Sequence, residues 1–197
     1  MRVTLGKEEW ITPQKFKLDK FGNRVEIQDL NGSSRAIEWD SVYYRFPVKE
    51  TITYGTQKLV ASTRWDYQNS VVTQSTNFNA HITLYGYDNF GRLSSIVQPG
   101  DSPSEPSIQY VYDMKSPMSR IIAKQRSHKG GAFDIEAIKC FDGLGRLLSN
   151  LTRVGNGNYI VSNHIVFNGL GQQAFLWDQY KSDGTCSFVA PTGTPKT

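Results

Sequence analysis

Apolar positions along the chain recur with a period of two. Val25-Glu26-Ile27-Gln28, Ile52-Thr53-Tyr54 and Ile108-Gln109-Tyr110-Val111-Tyr112 alternate across the two faces of an extended segment. Arg120 to Lys124, Ile135-Glu136-Ala137, Arg146-Leu147-Leu148, Tyr159-Ile160-Val161 and His164 to Phe167 read the same way. That period is the mark of a strand with one wet face, and helical spacing is hard to find. Between these runs lie turn clusters: Asn31-Gly32, Pro99-Gly100-Asp101, Ser116-Pro117, Gly130-Gly131, Gly155-Asn156-Gly157 and Asp183-Gly184. Short strands separated by turn residues about every ten positions predict an all-β chain of antiparallel hairpins. Gly155-Asn156-Gly157-Asn158 is the clearest hairpin, because Gly and Asn tolerate the positive φ of tight turns.

Four segments share a finer pattern: an aromatic or Leu, then Asp or Asn, two variable residues, and Gly before an outgoing strand. They are Leu18-Asp19-Lys20-Phe21-Gly22, Tyr87-Asp88-Asn89-Phe90-Gly91-Arg92, Phe141-Asp142-Gly143-Leu144-Gly145-Arg146 and Phe167-Asn168-Gly169-Leu170-Gly171. The interval from Asp142 to Asn168 is about half that from Asp88 to Asp142, which fits a repeat of roughly 26 residues with degenerate copies between. Trp65-Asp66 and Tyr112-Asp113 are the candidates for those copies. In each unit the aromatic packs on the core face, Asp or Asn bonds forward to backbone N–H groups, and Gly supplies the positive φ of a bulged loop. One such hairpin is unstable alone and must stack on its neighbours. The turn set is therefore Asp19, Gly22, Asp88, Gly91, Arg92, Asp142, Gly145, Arg146, Asn168 and Gly171. Tyr87, Phe141 and Phe167 act as packing anchors. The expected organisation is a degenerate β-rich part over 1–80, a hairpin segment over 81–182 and a flexible tail over 183–197.

These residues resemble the YD-repeat (Rhs) family. Tyr87-Asp88-Asn89-Phe90-Gly91-Arg92-Leu93 matches its pattern of Tyr-Asp, two variable residues, and Gly-Arg-Leu. The stretch from Tyr87 to about Tyr180 is similar to the Rhs-like middle of the B component of bacterial insecticidal toxin complexes. Val97-Gln98-Pro99-Gly100-Asp101, Phe141 to Arg146 and Val166 to Gly171 carry that similarity. The resemblance implies a spiralling sheet that forms a hollow cocoon around a toxic polypeptide, and hence a wall segment. It also implies a secreted or cell-surface setting, with other repeats of the shell, a toxin-complex partner or an encapsulated polypeptide as partners. Gln172 stands where the pattern has Arg, and Leu18 where it has Tyr. No Asp-Pro dipeptide of the family's self-cleaving region occurs, so only the wall role carries over. At 197 residues the chain is too short to enclose a domain, which implies a fragment or a small relative.

Composition narrows the alternatives. A formal net charge of +4 from scattered basic residues gives no nucleic-acid arm. The apolar runs are far short of the roughly 20 residues that span a bilayer. The polar start at Met1 to Glu9 carries no leader, so the chain is expected to be cytoplasmic or part of something longer. Cys140 and Cys186 allow one bridge, but the sequence leaves their pairing open. His81, His128 and His164 lack metal-ligand spacing; His81 and His164 read as polar strand-edge residues and His128 as part of a basic turn. Asp134 and Glu136 share a strand face about 7 Å apart, a separation that would suit a glycosidase but is common on wet strands. The repeat aspartates offer one oxygen set per loop, too few for calcium. No catalytic, metal or cofactor residue is therefore assigned, and a non-enzymatic role is expected. The alternative is a carbohydrate- or surface-binding β module, in which Trp10, Trp39, Trp65, Trp177 and exposed Tyr would stack on sugars.

Overall fold

The period-two segments are strands, and consecutive strands pair antiparallel. The computed structural model describes residues 2–4, 7–9 and 14–189, all of them strand, turn or irregular chain. They fall into two units, Met1–Tyr85 and Gly86–Thr197.

The first unit opens with a small hairpin, β1 (Arg2–Thr4) against β2 (Lys7–Glu9). A sheet follows, from β3 (Gln14–Leu18) through β4 (Arg24–Asp29), β5 (Ser34–Trp39), β6 (Pro47–Tyr54), β7 (Gln57–Asp66) and β8 (Val71–Thr76) to β9 (Ile82–Tyr87). Each strand pairs with the next in the chain, so connections alternate between the two edges of the sheet. Register fixes the faces. Phe16, Ile27, Arg35, Ile52 and Leu59 stand opposite one another across five strands, an apolar row broken by one arginine. Arg35 pairs on that face with Glu50 at 2.8 Å. The opposite face carries the Lys17–Glu26 and Lys49–Glu38 pairs, at 2.6 and 2.8 Å. Among the described residues of this unit no apolar side chain is fully buried, and Asp40 is the one buried polar residue.

The second unit is itself a meander of β10 (Leu93–Val97), β11 (Ile108–Asp113), β12 (Ser119–Arg126), β13 (Phe133–Phe141), β14 (Leu147–Gly155) and β15 (Asn158–Ser162), and β18 (Tyr180–Ser182) pairs with β15. The sheet is open and does not close into a barrel. Here a core exists. Val111, Ile122, Ile138, Leu151, Val161 and Tyr180 form one cross-strand row. Ile138, Cys140, Leu148, Leu151 and Val161 are its buried centre. The cover includes a second hairpin, β16 (His164–Phe167) with β17 (Gln173–Trp177), whose Phe167 packs on the cluster. Cys140 and Cys186, 46 residues apart, are joined in a disulfide that fastens the segment after β18 to the core.

Candidate functional site

The motif residues form one local device, repeated. In each of the four copies the backbone N–H of Asp19, Asp88, Asp142 or Asn168 donates to the carbonyl four residues on, at 2.8–3.0 Å. The glycine N–H three residues on donates back to the same residue's carbonyl, at 2.9–3.2 Å. The side-chain Oδ1 then accepts two more N–H groups, from the second and fourth residues after it. For Asp142 these come from Leu144 and Arg146, both at 2.9 Å. Asp19, Asp88 and Asn168 repeat the arrangement at 2.8–3.0 Å. Gly145 sits at φ +75 and Gly91 at φ +73, in the left-handed region where a Cβ is disfavoured. The strand register slips at the residue just before the acid or amide: at Leu18, Trp39, Trp65, Phe141 and Phe167. That bulge ends the ladder and turns the chain.

The second carboxylate oxygen reaches forward along the chain. Arg92 Nε donates to Asp88 Oδ2 and Arg146 Nε to Asp142 Oδ2, both at 2.7 Å. Each guanidinium also lies over an aromatic ring, Arg92 at 4.3 Å from Tyr112 and Arg146 at 4.1 Å from Phe167. Those rings belong to the next aromatic–acid pairs, Tyr112-Asp113 and Phe167-Asn168. The arginine thus joins one repeat to the following one by a charge-assisted bond at one end and a cation–π contact at the other. Asn23 does the corresponding work in the first copy, donating to Asp19 Oδ2 and to the Tyr44 carbonyl. Partial burial pulls the Asp88 and Asp142 carboxyls up. Bonds from backbone N–H groups and the paired arginine outweigh it and hold both below the ordinary carboxylate range.

Two further copies share the logic without the glycine. Asp66 accepts N–H bonds from Gln68 and Asn69, and Ser70 takes the positive φ. Asp40 has no glycine three residues on and so lies outside the repeated pattern. It is 3% exposed and its carboxylate accepts N–H bonds from Val42, Tyr43, Arg45 and Phe46, at 2.5–3.2 Å. Burial raises its pKa, but those four donors prevail and bring it down to about 2. The signal was the Trp39-Asp40 dipeptide, another aromatic–acid pair between Asp19 and Asp66. Asp113, in contrast, forms no such turn; it pairs with Arg120 at 3.1 Å before the cis Ser116–Pro117 bond.

The other candidates are dispersed. Asp134 accepts from Ser127, whereas Glu136 accepts from Tyr159 Oη at 2.8 Å. His128 Nδ1 meets Ser127 Oγ at 3.1 Å, and the backbone N–H of His81 donates to Asn77. His164 is not an edge residue facing water. It is 1% exposed beside Tyr180 Oη at 2.5 Å, and burial lowers its pKa. No group of three metal-ligating side chains occurs among the described residues. Trp39 and Trp65 donate their indole N–H to the Arg24 and Pro47 carbonyls, and the Trp177 ring lies 6.5 Å from Phe175. Trp10 lies outside the described residues. No helix of the described residues is long and apolar enough to cross a membrane.

No protein-family model matches this chain, and no curated protein matches its sequence. Thirty-eight chains of solved structures match its fold. The crystal structure of TcdB2-TccC3 without its hypervariable C-terminal region superposes with a TM-score of 0.72 over 86% of this chain, at 12% identity. The chain is folded like TcdB2-TccC3. A second TcdB2-TccC3 crystal structure gives 0.68 over 83% at 15% identity, and the Photorhabdus luminescens Tc holotoxin pore gives 0.58 over 85% at 16%. The match spans 13%, 10% and 9% of the lengths of those three chains. At such identities the likeness is one of fold, and in fold the resemblance to the Rhs region of toxin-complex B components holds.

Proposed function

We propose that this chain is a non-enzymatic structural segment of an Rhs-type wall, associated with a bacterial toxin or a secreted surface protein. The observation that carries the reading is the forward link of the repeats. Arg92 and Arg146 each clamp their own turn and stack on the next repeat's aromatic, a device that propagates a sheet. The TcdB2-TccC3-like fold supports it. In this role the chain bears load through ladder hydrogen bonds and hairpin stacking. Its partners are further repeats or a toxin-complex component, and the enclosed material is a polypeptide. The Cys140–Cys186 disulfide favours an oxidising setting such as secretion.

Reading the coding sequence on both sides of this segment tests the proposal. Further aromatic-Asp…Gly-Arg units at intervals like that between Asp142 and Asn168 are expected. An isolated gene with no such units on either side would sink it.

A further inference from the structure

The repeated turn leaves one position chemically free. The second residue after each acid or amide lends only its backbone N–H to Oδ1, Phe90 and Leu144 at 2.9 Å and Leu170 at 3.0 Å. Any residue except proline can donate that bond. All four copies nevertheless carry Phe or Leu there: Phe21, Phe90, Leu144 and Leu170. Phe21, in the first unit, stacks on Tyr44. In the second unit these side chains stand in the open, with Phe90 83%, Leu144 80% and Leu170 85% exposed. The turns after β9, β11 and β13 each join an odd strand to the next even one, so they share one edge of the antiparallel sheet. Met114, 53% exposed, is the apolar tip of the middle turn. The Leu170 turn adjoins the Leu144 turn, because Arg146 reaches both Phe167 and the surroundings of Gly171. The opposite edge differs. Its turns, residues 98–107, 127–132 and 156–157, hold no Leu, Ile, Val, Met, Phe, Tyr or Trp.

We infer that this edge is a membrane-docking surface, which seats Phe90, Met114, Leu144 and Leu170 in the interfacial layer of an anionic phospholipid bilayer. Spacing argues for lipid over a protein partner. Neighbouring hairpin tips of the sheet lie two strands apart, about 10 Å. Asn89, Lys115, Gly143 and Gly169 interrupt the apolar residues. At about 150–250 Å² for each side chain, these exposures leave roughly 450–750 Å² open, divided among four points. One side of a specific protein interface takes about 800 Å² as a continuous patch. A fluid bilayer receives separate apolar points without a shaped pocket for each. Charge agrees. The carboxylates of these turns, Asp88, Asp113 and Asp142, are paired with Arg92, Arg120 and Arg146. Lys115, 3.9 Å from Asp113, adds a fourth cation. The edge thus carries one positive charge in excess and no unpaired carboxylate for lipid phosphates to repel. Arg92 lies 5.1 Å from the Phe90 ring, so seating that ring brings a guanidinium to headgroup level. This inference stands apart from the wall reading, for a wall segment needs no lipid.

The full chain is floated on a density gradient with vesicles of phosphatidylcholine containing a minority of phosphatidylserine. It should rise with them, and several-fold less with pure phosphatidylcholine. Phe90→Asn with Leu144→Asn and Leu170→Asn keeps every turn N–H and removes side chains that pack on little. That triple variant should melt within a degree or two of the parent while losing at least tenfold in vesicle binding. Leu144→Phe with Leu170→Phe keeps the tips apolar, guards against a folding defect, and should bind at least as tightly as the parent. A parent chain that does not float, or a triple variant that floats as well as the parent, overturns the inference. Equal binding to both vesicle types overturns the anionic surface. Sedimentation of the parent without lipid supplies the remaining check: self-association that the triple variant abolishes would show that the tips seat a second copy instead.

Discussion

A single side chain does most of the turning in this protein. Asp and Asn are short enough to reach the N–H groups two and four residues ahead, and glycine accepts the φ that this closure demands. Gly145 shows the backbone term in isolation: it sits at φ +75, and a Cβ there would touch nothing within 4 Å. Gly145→Val should therefore lose about 1–3 kcal/mol from strain alone, and Gly145→Ala rather less. Urea unfolding measures this, and an unchanged midpoint would remove the turn argument. Acid should reveal Asp40. Its folded pKa of about 2 lies below the ordinary value near 3.9, so its contribution is complete above pH 4 and disappears as the pH falls toward 2. Asp19, Asp88 and Asp142 are shifted in the same direction and steepen that loss. Unfolding across pH 5 to 2 should show a shallower decline for Asp40→Asn than for the parent. Equal slopes would mean that its carboxylate does not hold the loop.

At the scale of elements, two connections matter beyond the ladders. The arginine link is testable as a coupling: a double-mutant cycle of Arg146→Ala with Phe167→Leu should return about 0.5–1 kcal/mol beyond the single losses. A value near zero would leave Arg146 serving its own turn only. The disulfide closes a separation of 46 residues, for which chain entropy gives about 4 kcal/mol. Cys140→Ser with Cys186→Ser should lower stability by up to that amount under oxidising conditions, and added reductant should then have no further effect. These elements were unevenly legible in the sequence. Asp19, Asp88, Asp142 and Asn168 announced their turns because a glycine follows three residues later. The Asp40 loop carries its positive φ on Tyr44, and the Asn77 turn carries it on Ala80, so neither offered a glycine to find.

At the scale of the molecule, the two units differ in how they are held. The second has a buried cluster, a covering hairpin and a disulfide. The first has an apolar row without a fully buried apolar residue among those described. Opening free energy follows local burial, so amides of β12 to β15 should exchange with deuterium more slowly than those of β3 to β8. Mass-resolved exchange on the intact chain measures the order, and the reverse order would show that burial is not what holds the second unit.

The hairpin cadence and the Asp–Gly turns were settled by the amino-acid order alone, because every atom involved lies within a few residues and the chemistry is complete at that range. The identity of the ring beneath each arginine, the partner of Cys140 and the burial of His164 were decided by folding. Each joins residues well separated along the chain, and only strand register and the covering hairpin bring such residues together.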